Sequence, residues 1–170
     1  MDDEALRGYR EQMAAQRALW PKGPWSDEPD RVEWTSHGFP CLIVRNSLGA
    51  LCGYVAVPAD HPAHGKHWAS VPATAHRGLN YSRPCQTVIC HAGADENVWW
   101  LGFDCIHIGF DEQADLAPGE FIFGMLDGSH ARSFLRGGGP QYRTIAYVTG
   151  EVESLAEQLE AMKGTECRKP

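Results

Sequence analysis

Hydrophobic and polar positions follow two different rhythms along this chain, and the sharpest change of rhythm lies at its centre. The run Val98-Trp99-Trp100-Leu101-Gly102-Phe103-Asp104-Cys105-Ile106-His107-Ile108 is apolar on both parities. Bulky, β-branched and aromatic residues on both sides predict a strand buried on two faces, near the middle of a sheet. Two shorter apolar runs, Cys41 to Arg45 and Leu51 to Val57, flank Asn46-Ser47-Leu48-Gly49, which reads as a hairpin connection with Gly49 free to take positive φ. Val32 and Trp34 share one face of a further strand that starts at Arg31. Thr87 to His91 reads as a short strand, and 92–97 as the turn into the central one. Residues 71–84 hold His76, Gly78, Asn80 and Tyr81 between prolines, which predicts a short edge strand or a shaped loop.

The period lengthens at both ends. Over residues 1–20, Leu6, Tyr9, Met13 and Trp20 gather near one face while Arg7, Arg10, Glu11 and Arg17 point away, as in an amphipathic helix. Ile145, Val148, Val152, Leu155, Leu159 and Met162 are spaced by fours and threes, which predicts a second helix over 144–163 with Thr144 as N-cap and Gly164 just past its end. Pro21, Gly23, Pro24 and Pro29 break regular structure between the first helix and the strands, with Trp25 laid over the core. Residues 109–140 are rich in Gly, Pro and Asp, with one apolar island at 121–126.

Strands cluster in the middle instead of alternating with helices. The predicted fold class is therefore α+β, a mostly antiparallel sheet of five or six strands packed by N- and C-terminal helices. A length of 170 residues fits one domain, 1–170, with a helix at 1–20, a sheet core at 31–108, a loop-rich stretch at 109–140 and a helix at 144–163.

Charge narrows the function classes. A net charge of −7 and a pI near 5.5 carry no electrostatic footprint for bulk nucleic acid. No run reaches the roughly 18 apolar residues of a membrane span, and the opening residues lack an apolar signal region, so a soluble protein of the cytoplasm is expected. In that setting the six cysteines read as thiols or metal ligands and not as a disulfide framework.

Several segments together resemble a family. Gly23-Pro24-Trp25 with Glu28-Pro29-Asp30, Gly38-Phe39-Pro40-Cys41, Cys52-Gly53-Tyr54-Val55-Ala56-Val57-Pro58, Trp99 to His107 and the terminal Tyr147-Val148 helix look like a group of small uncharacterised proteins of phages and bacteria. The group's pattern has His-Gly-Gly-aliphatic-Thr-Tyr where this chain has His76-Arg77-Gly78-Leu79-Asn80-Tyr81, and Gly-Asp soon after the central histidine where this chain inserts Phe110 before Asp111. The resemblance implies a phage-related accessory context and implies no reaction.

The first candidate constellation is His76, Tyr81, Asp104 and His107. Histidines with a carboxylate to orient them supply what acid–base work requires. A carboxylate within a doubly buried strand needs a partner, and His76, in a punctuated segment able to fold over the sheet, is the expected one for Asp104. Strand alternation places Asp104 and His107 on opposite faces unless Gly102 or Gly109 permits a bulge. The plainer account is a structural Asp104 and a core histidine. Cys85, Cys90, His91, Cys105 and His107 are a second set, for zinc, but their spacing lacks the paired pattern of a zinc ribbon, and buried thiols that act as small hydrophobes are preferred. His61, His64 and His67 are read as an exposed histidine loop, since Pro62 and Gly65 deny the helix that would align them. Nothing on paper activates Cys52, and Gly137-Gly138-Gly139 lacks the spacing of a phosphate loop. The tryptophans are assigned mostly to the core, with one or two free to stack on a base.

Three readings remain open. The leading one is a small-ligand pocket near the central strand, hydrolytic through His76 and His107 as acid and base, with Asp104 orienting and Tyr81 donating; in a phage context a nucleotide is a reasonable ligand. The second is a non-catalytic module that sequesters such a ligand or blocks a host protein, and the third is a zinc-stabilised interaction domain. The sequence leaves the cofactor, the metal content and the oligomeric state open.

Overall fold

A computed structural model describes residues 3–90, 97–107, 115–121 and 141–164. Its centre is a five-stranded antiparallel sheet, β1 Arg31–Ser36, β2 Phe39–Arg45, β3 Leu51–Val57, β4 Tyr81–Pro84 and β5 Trp99–Asp104, in the order β1-β2-β3-β5-β4. Helix α1, Asp3–Arg17, precedes the sheet and helix α2, Ile145–Lys163, follows it. This is the α+β arrangement that the periodicities predict. The β2–β3 turn closes on Asn46, whose Oδ1 accepts from Leu48 N and Ala50 N at 3.0 Å each, and Gly49 supplies the left-handed residue at φ 88°.

Alternation along the strands makes two cores. On one face Ile43, Leu51, Val55, Leu101 and Phe103 meet Val148, Val152, Leu155 and Leu159 of α2. Gly53 lets helix and sheet approach, since a Cβ there would lie 2.5 Å from Val152 Cγ2 and 2.6 Å from Phe103 Cζ. On the other face Leu42, Val44, Cys52, Tyr54, Ala56 and Trp100 pack against Tyr9 of α1 and against Val88 and Ile89. Thr144 caps α2, its hydroxyl accepting from Tyr147 N at 3.3 Å.

Several sequence expectations are corrected. Residues 87–90 are not a strand: Cys85 and Cys90 pair as a disulfide around a tight turn, in which Gln86 and Ile89 bridge and Thr87 takes φ 45°. The β-branched Val88 and Ile89 pack on the core from that turn. Two cysteines are thus not thiols, and Cys85 and Cys90 are unavailable to a zinc set. Cys41, Cys52 and Cys105 are the buried thiols among the described residues. Helix α1 ends at Arg17, short of Trp20, because the Arg17 guanidinium turns to Asp30, with Nε 2.8 Å from Oδ1. Gly164 closes α2 in a right-handed conformation, at φ −79°. His91, the 92–96 turn, Asp111, residues 122–126 of the apolar island and Gly137–Gly139 lie outside the described residues.

His61 overturns the picture of an exposed histidine loop. It is 4% exposed, with Nε2 donating to Leu159 O across 2.8 Å and Nδ1 accepting from Ala63 N at 3.0 Å, and burial lowers its pKa. His64 instead leans on Trp99, and His67 caps the short turn at Trp68–Ser70, so the three do not converge.

Arg45, at the end of β2, is fully buried in a polar knot that sequence patterning does not reveal. Its guanidinium donates to Asp30 Oδ1 at 2.9 Å, Gly49 O at 2.8 Å, Tyr142 Oη at 2.6 Å and Glu28 Oε2 at 3.2 Å. Glu28 Oε1 accepts from Ile145 N, the first amide of α2, at 2.8 Å. Trp25 stacks edge-on to Tyr142 at 5.2 Å. The Pro-rich connection therefore ties α1, β2 and the start of α2 together.

Candidate functional site

The end of β5 decides which side chains meet. The strand stops at Asp104, four residues before the sequence pattern suggests, and Ile106 N turns back to Asp104 Oδ1 at 3.2 Å. His107 lies beyond the strand and is released from its alternation. Asp104 pairs in register with Cys52 and takes the parity of Trp100, away from α2, whereas Phe103 and Cys105 face α2. Its partner is Asn80, whose Nδ2 donates to Oδ2 at 2.7 Å, and not His76. The half-buried position of Asp104 and these two donors remove the need for a cation.

His76 sits in a tight turn in which Gly78 N returns to Ala75 O at 2.9 Å and Arg77 and Gly78 take φ 52° and 100°. The turn delivers its ring to the α2 side of the sheet, beside Phe103. There it meets His107, the two rings edge to face at 5.2 Å. Both converge on a carboxylate that sequence reasoning missed. Asp115 Oδ2 lies 2.8 Å from His76 Nε2 and 2.7 Å from His107 Nδ1, and also accepts from His107 N at 3.3 Å. Arg143 Nε donates to the other oxygen, Oδ1, at 2.8 Å. Tyr147, in the first turn of α2, places Oη 2.9 Å from His76 Nδ1, and the Arg143 guanidinium lies over its ring at 5.0 Å.

Backbone bonds hold this cluster from two sides. Asp115 N donates to His107 O at 3.0 Å, and Leu116 N donates to Gln141 O at 3.0 Å. The segment carrying Asp115 is thus clamped between the exit of β5 and the entry to α2.

The side chain of Asp115 is completely buried, that of His76 nearly so, and those of Arg143 and His107 keep 19% and 27% of their surface exposed. Burial alone would raise the Asp115 pKa. Hydrogen bonds from His76, Arg143 and His107 outweigh it and hold the carboxyl well below the usual range. Burial would lower the Arg143 pKa, but the bond to Asp115 raises it, so a permanent carboxylate and a permanent guanidinium frame the two imidazoles. The atoms His76 Nε2, His107 Nδ1 and Asp115 Oδ2 all lie within 4.8 Å of one another. Such a set can share protons or hold a cation.

Of the four residues singled out in the sequence, the fold brings His76 and His107 together and leaves Asp104 and Tyr81 elsewhere. Tyr81 packs on Tyr54 at 5.1 Å, on the face away from α2, and its buried hydroxyl has no hydrogen-bond partner among the described residues. Asp115, Arg143 and Tyr147 enter the site without a motif to announce them. Among them only Tyr147 belonged to a segment quoted for the family resemblance. Cys105 and His107 of the sequence's zinc set split up, since Cys105 is buried in the α2 core and burial pushes its thiol far up.

Clefts elsewhere do not include the cluster. One of about 490 Å³ between α1 and β1 is lined by Leu6, Tyr9, Arg10, Ala14, Arg31 and Glu33 among others, and one of about 220 Å³ reaches Met13, Cys52 and Tyr54. No helix of the described residues is long and apolar enough to cross a membrane. No family model, curated protein or solved structure matches the chain.

Proposed function

We propose that the protein binds a small anionic ligand beside His76, Asp115 and His107 and hydrolyses it by acid–base chemistry. The observation that carries this reading is one buried carboxylate oxygen taking both imidazoles, at 2.8 and 2.7 Å. With Asp115 accepting from Nδ1–H, the lone pair of His107 Nε2 is left facing away from the carboxylate, and no described residue bonds it. That is the orientation a general base needs to take a proton from water. His76 donates through Nε2 to the same oxygen and accepts from Tyr147 Oη, which makes Tyr147 and His76 a path for returning a proton to a leaving group. Arg143 supplies positive charge at the rim, suited to an anionic substrate. Asp104 and Tyr81 have no part in this mechanism.

The phage-related context implied by the resemblance favours a nucleotide signal as the ligand, in the cytoplasm. The Cys85–Cys90 bridge bears on that placement, because such bonds persist mainly in oxidising compartments, and thiol blocking before cell lysis reads out its state. The functional test is incubation with mono-, di- and cyclic nucleotides followed by denaturation and chromatography. A hydrolase returns product, and His107→Ala abolishes it. A ligand that binds and returns intact assigns the protein to sequestration. The absence of both binding and turnover across the panel overturns the reading.

A further inference from the structure

We infer that His76 Nε2, His107 Nδ1 and Asp115 Oδ2 are the protein ligands of a divalent first-row transition metal ion. The inference goes beyond the acid–base reading, since it gives the same cluster a second state in which an ion replaces the shared protons.

The donor set itself selects the metal class. Two imidazole nitrogens and one carboxylate oxygen suit zinc or iron(II), whereas magnesium and calcium prefer oxygen throughout. Three ligands from three separate stretches of chain meet within 4.8 Å, and the carboxylate is fully buried. Tetrahedral ligands with bonds of about 2.0–2.1 Å sit about 3.3 Å apart. Asp115 Oδ2 now lies 2.8 and 2.7 Å from the two nitrogens and must withdraw by about half an ångström, while the two nitrogens, within 4.8 Å of each other, must settle at that same spacing to admit an ion.

Outer partners of the kind that fix metal ligands are already present. Arg143 Nε holds Asp115 Oδ1 at 2.8 Å, leaving Oδ2 for the ion. Tyr147 Oη lies 2.9 Å from His76 Nδ1. On metal binding the His76 proton moves from Nε2 to Nδ1 and is donated to Tyr147 Oη, so the neutral ring keeps both of its bonds. The His107 proton moves from Nδ1 to Nε2. No net proton is released by either ring. His107 keeps 27% of its side chain exposed, so the cluster is approached from solvent on that side.

The test is calorimetric and thermal titration of chelator-treated protein with zinc chloride, iron(II) under anaerobic conditions, and magnesium chloride. Expected are one zinc or iron(II) ion per chain with a rise in Tm, no response to magnesium, and at least tenfold weaker binding in His107→Ala and in Asp115→Asn. His107 is partly exposed, so its variant should keep the wild-type circular dichroism. A His64→Ala/His67→Ala variant should bind as wild type, which excludes the surface histidines. No zinc or iron(II) binding by the wild-type protein, or equal binding by His107→Ala, overturns the inference. Metal binding without turnover of any nucleotide supports it and refutes the hydrolytic reading; turnover by metal-free protein that binds no metal does the reverse.

Discussion

Tyr142 and Arg143 are adjacent in sequence but anchor two different polar networks: Tyr142 Oη accepts from Arg45 Nη1 at 2.6 Å, while Arg143 Nε donates to Asp115 Oδ1 at 2.8 Å. Their side chains diverge at the entry to α2, one into the buried knot around Arg45, the other into the candidate site. The knot therefore sets where the site's guanidinium stands.

Arg45→Met should test that dependence. Removing one member of a buried ion-pair network typically costs about 3–5 kcal/mol, and the lower end applies here because Asp30 keeps Arg17 and Glu28 keeps the Ile145 amide. Arg45 is fully buried and both Glu28 and Asp30 face it. Urea unfolding should show a loss of that order, and an unchanged midpoint would show that the knot contributes nothing to stability.

Leu155→Ala addresses the α2 interface. Leu155 has no exposed surface and lies in the core shared by helix and sheet. Truncations of this type cost about 2–5 kcal/mol, and the urea midpoint should fall accordingly. A midpoint equal to wild type would contradict the packing described.

Alkaline pH should destabilise the fold partly through Cys52. Burial, with Asp104 adding to it, pushes this thiol up from 9.0 to about 12. Between those values the unfolded chain has released the proton and the folded chain retains it, so stability is present below pH 9.0 and is lost as pH rises toward 12. One such thiol contributes a slope of at most about 1.4 kcal/mol per pH unit. Unfolding free energies measured across this window should fall less steeply in Cys52→Ala; identical slopes would contradict the assignment.

The sequence disclosed elements better than it disclosed the site. Continuous apolar runs at 41–45 and 51–57 and the three-four spacing from Ile145 to Met162 mark β2, β3 and α2 because two-sided burial of a strand and one-sided burial of a helix impose those patterns directly. Thr87 to His91 misled because β-branched side chains suit a strand, while here Val88 and Ile89 reach the core, partly buried, from a tight disulfide turn. Asp104 looked like the buried acid because the apolar run continues to Ile108, whereas the backbone turns at Cys105 and hands Asp104 to Asn80. Asp115 was invisible for the opposite reason. It comes from a Gly-, Pro- and Asp-rich stretch without periodicity, and its importance arises only when His107 and Gln141 clamp its backbone. His76 and His107 were legible as chemistry, but their common partner was not.

The central claim is that Asp115 holds both rings through one oxygen, and nitrogen-15 correlation spectra of the histidines in metal-free protein test it most directly. In their neutral form, His107 should be the Nδ1–H tautomer and His76 the Nε2–H tautomer. Asp115→Asn should disturb both rings together, since the amide has one acceptor oxygen where the carboxylate has two, and an oxygen turned to Arg143 leaves donor N–H groups against both imidazoles. Opposite tautomers in the wild-type protein, or a variant in which either ring is unaltered, would contradict the shared-carboxylate site.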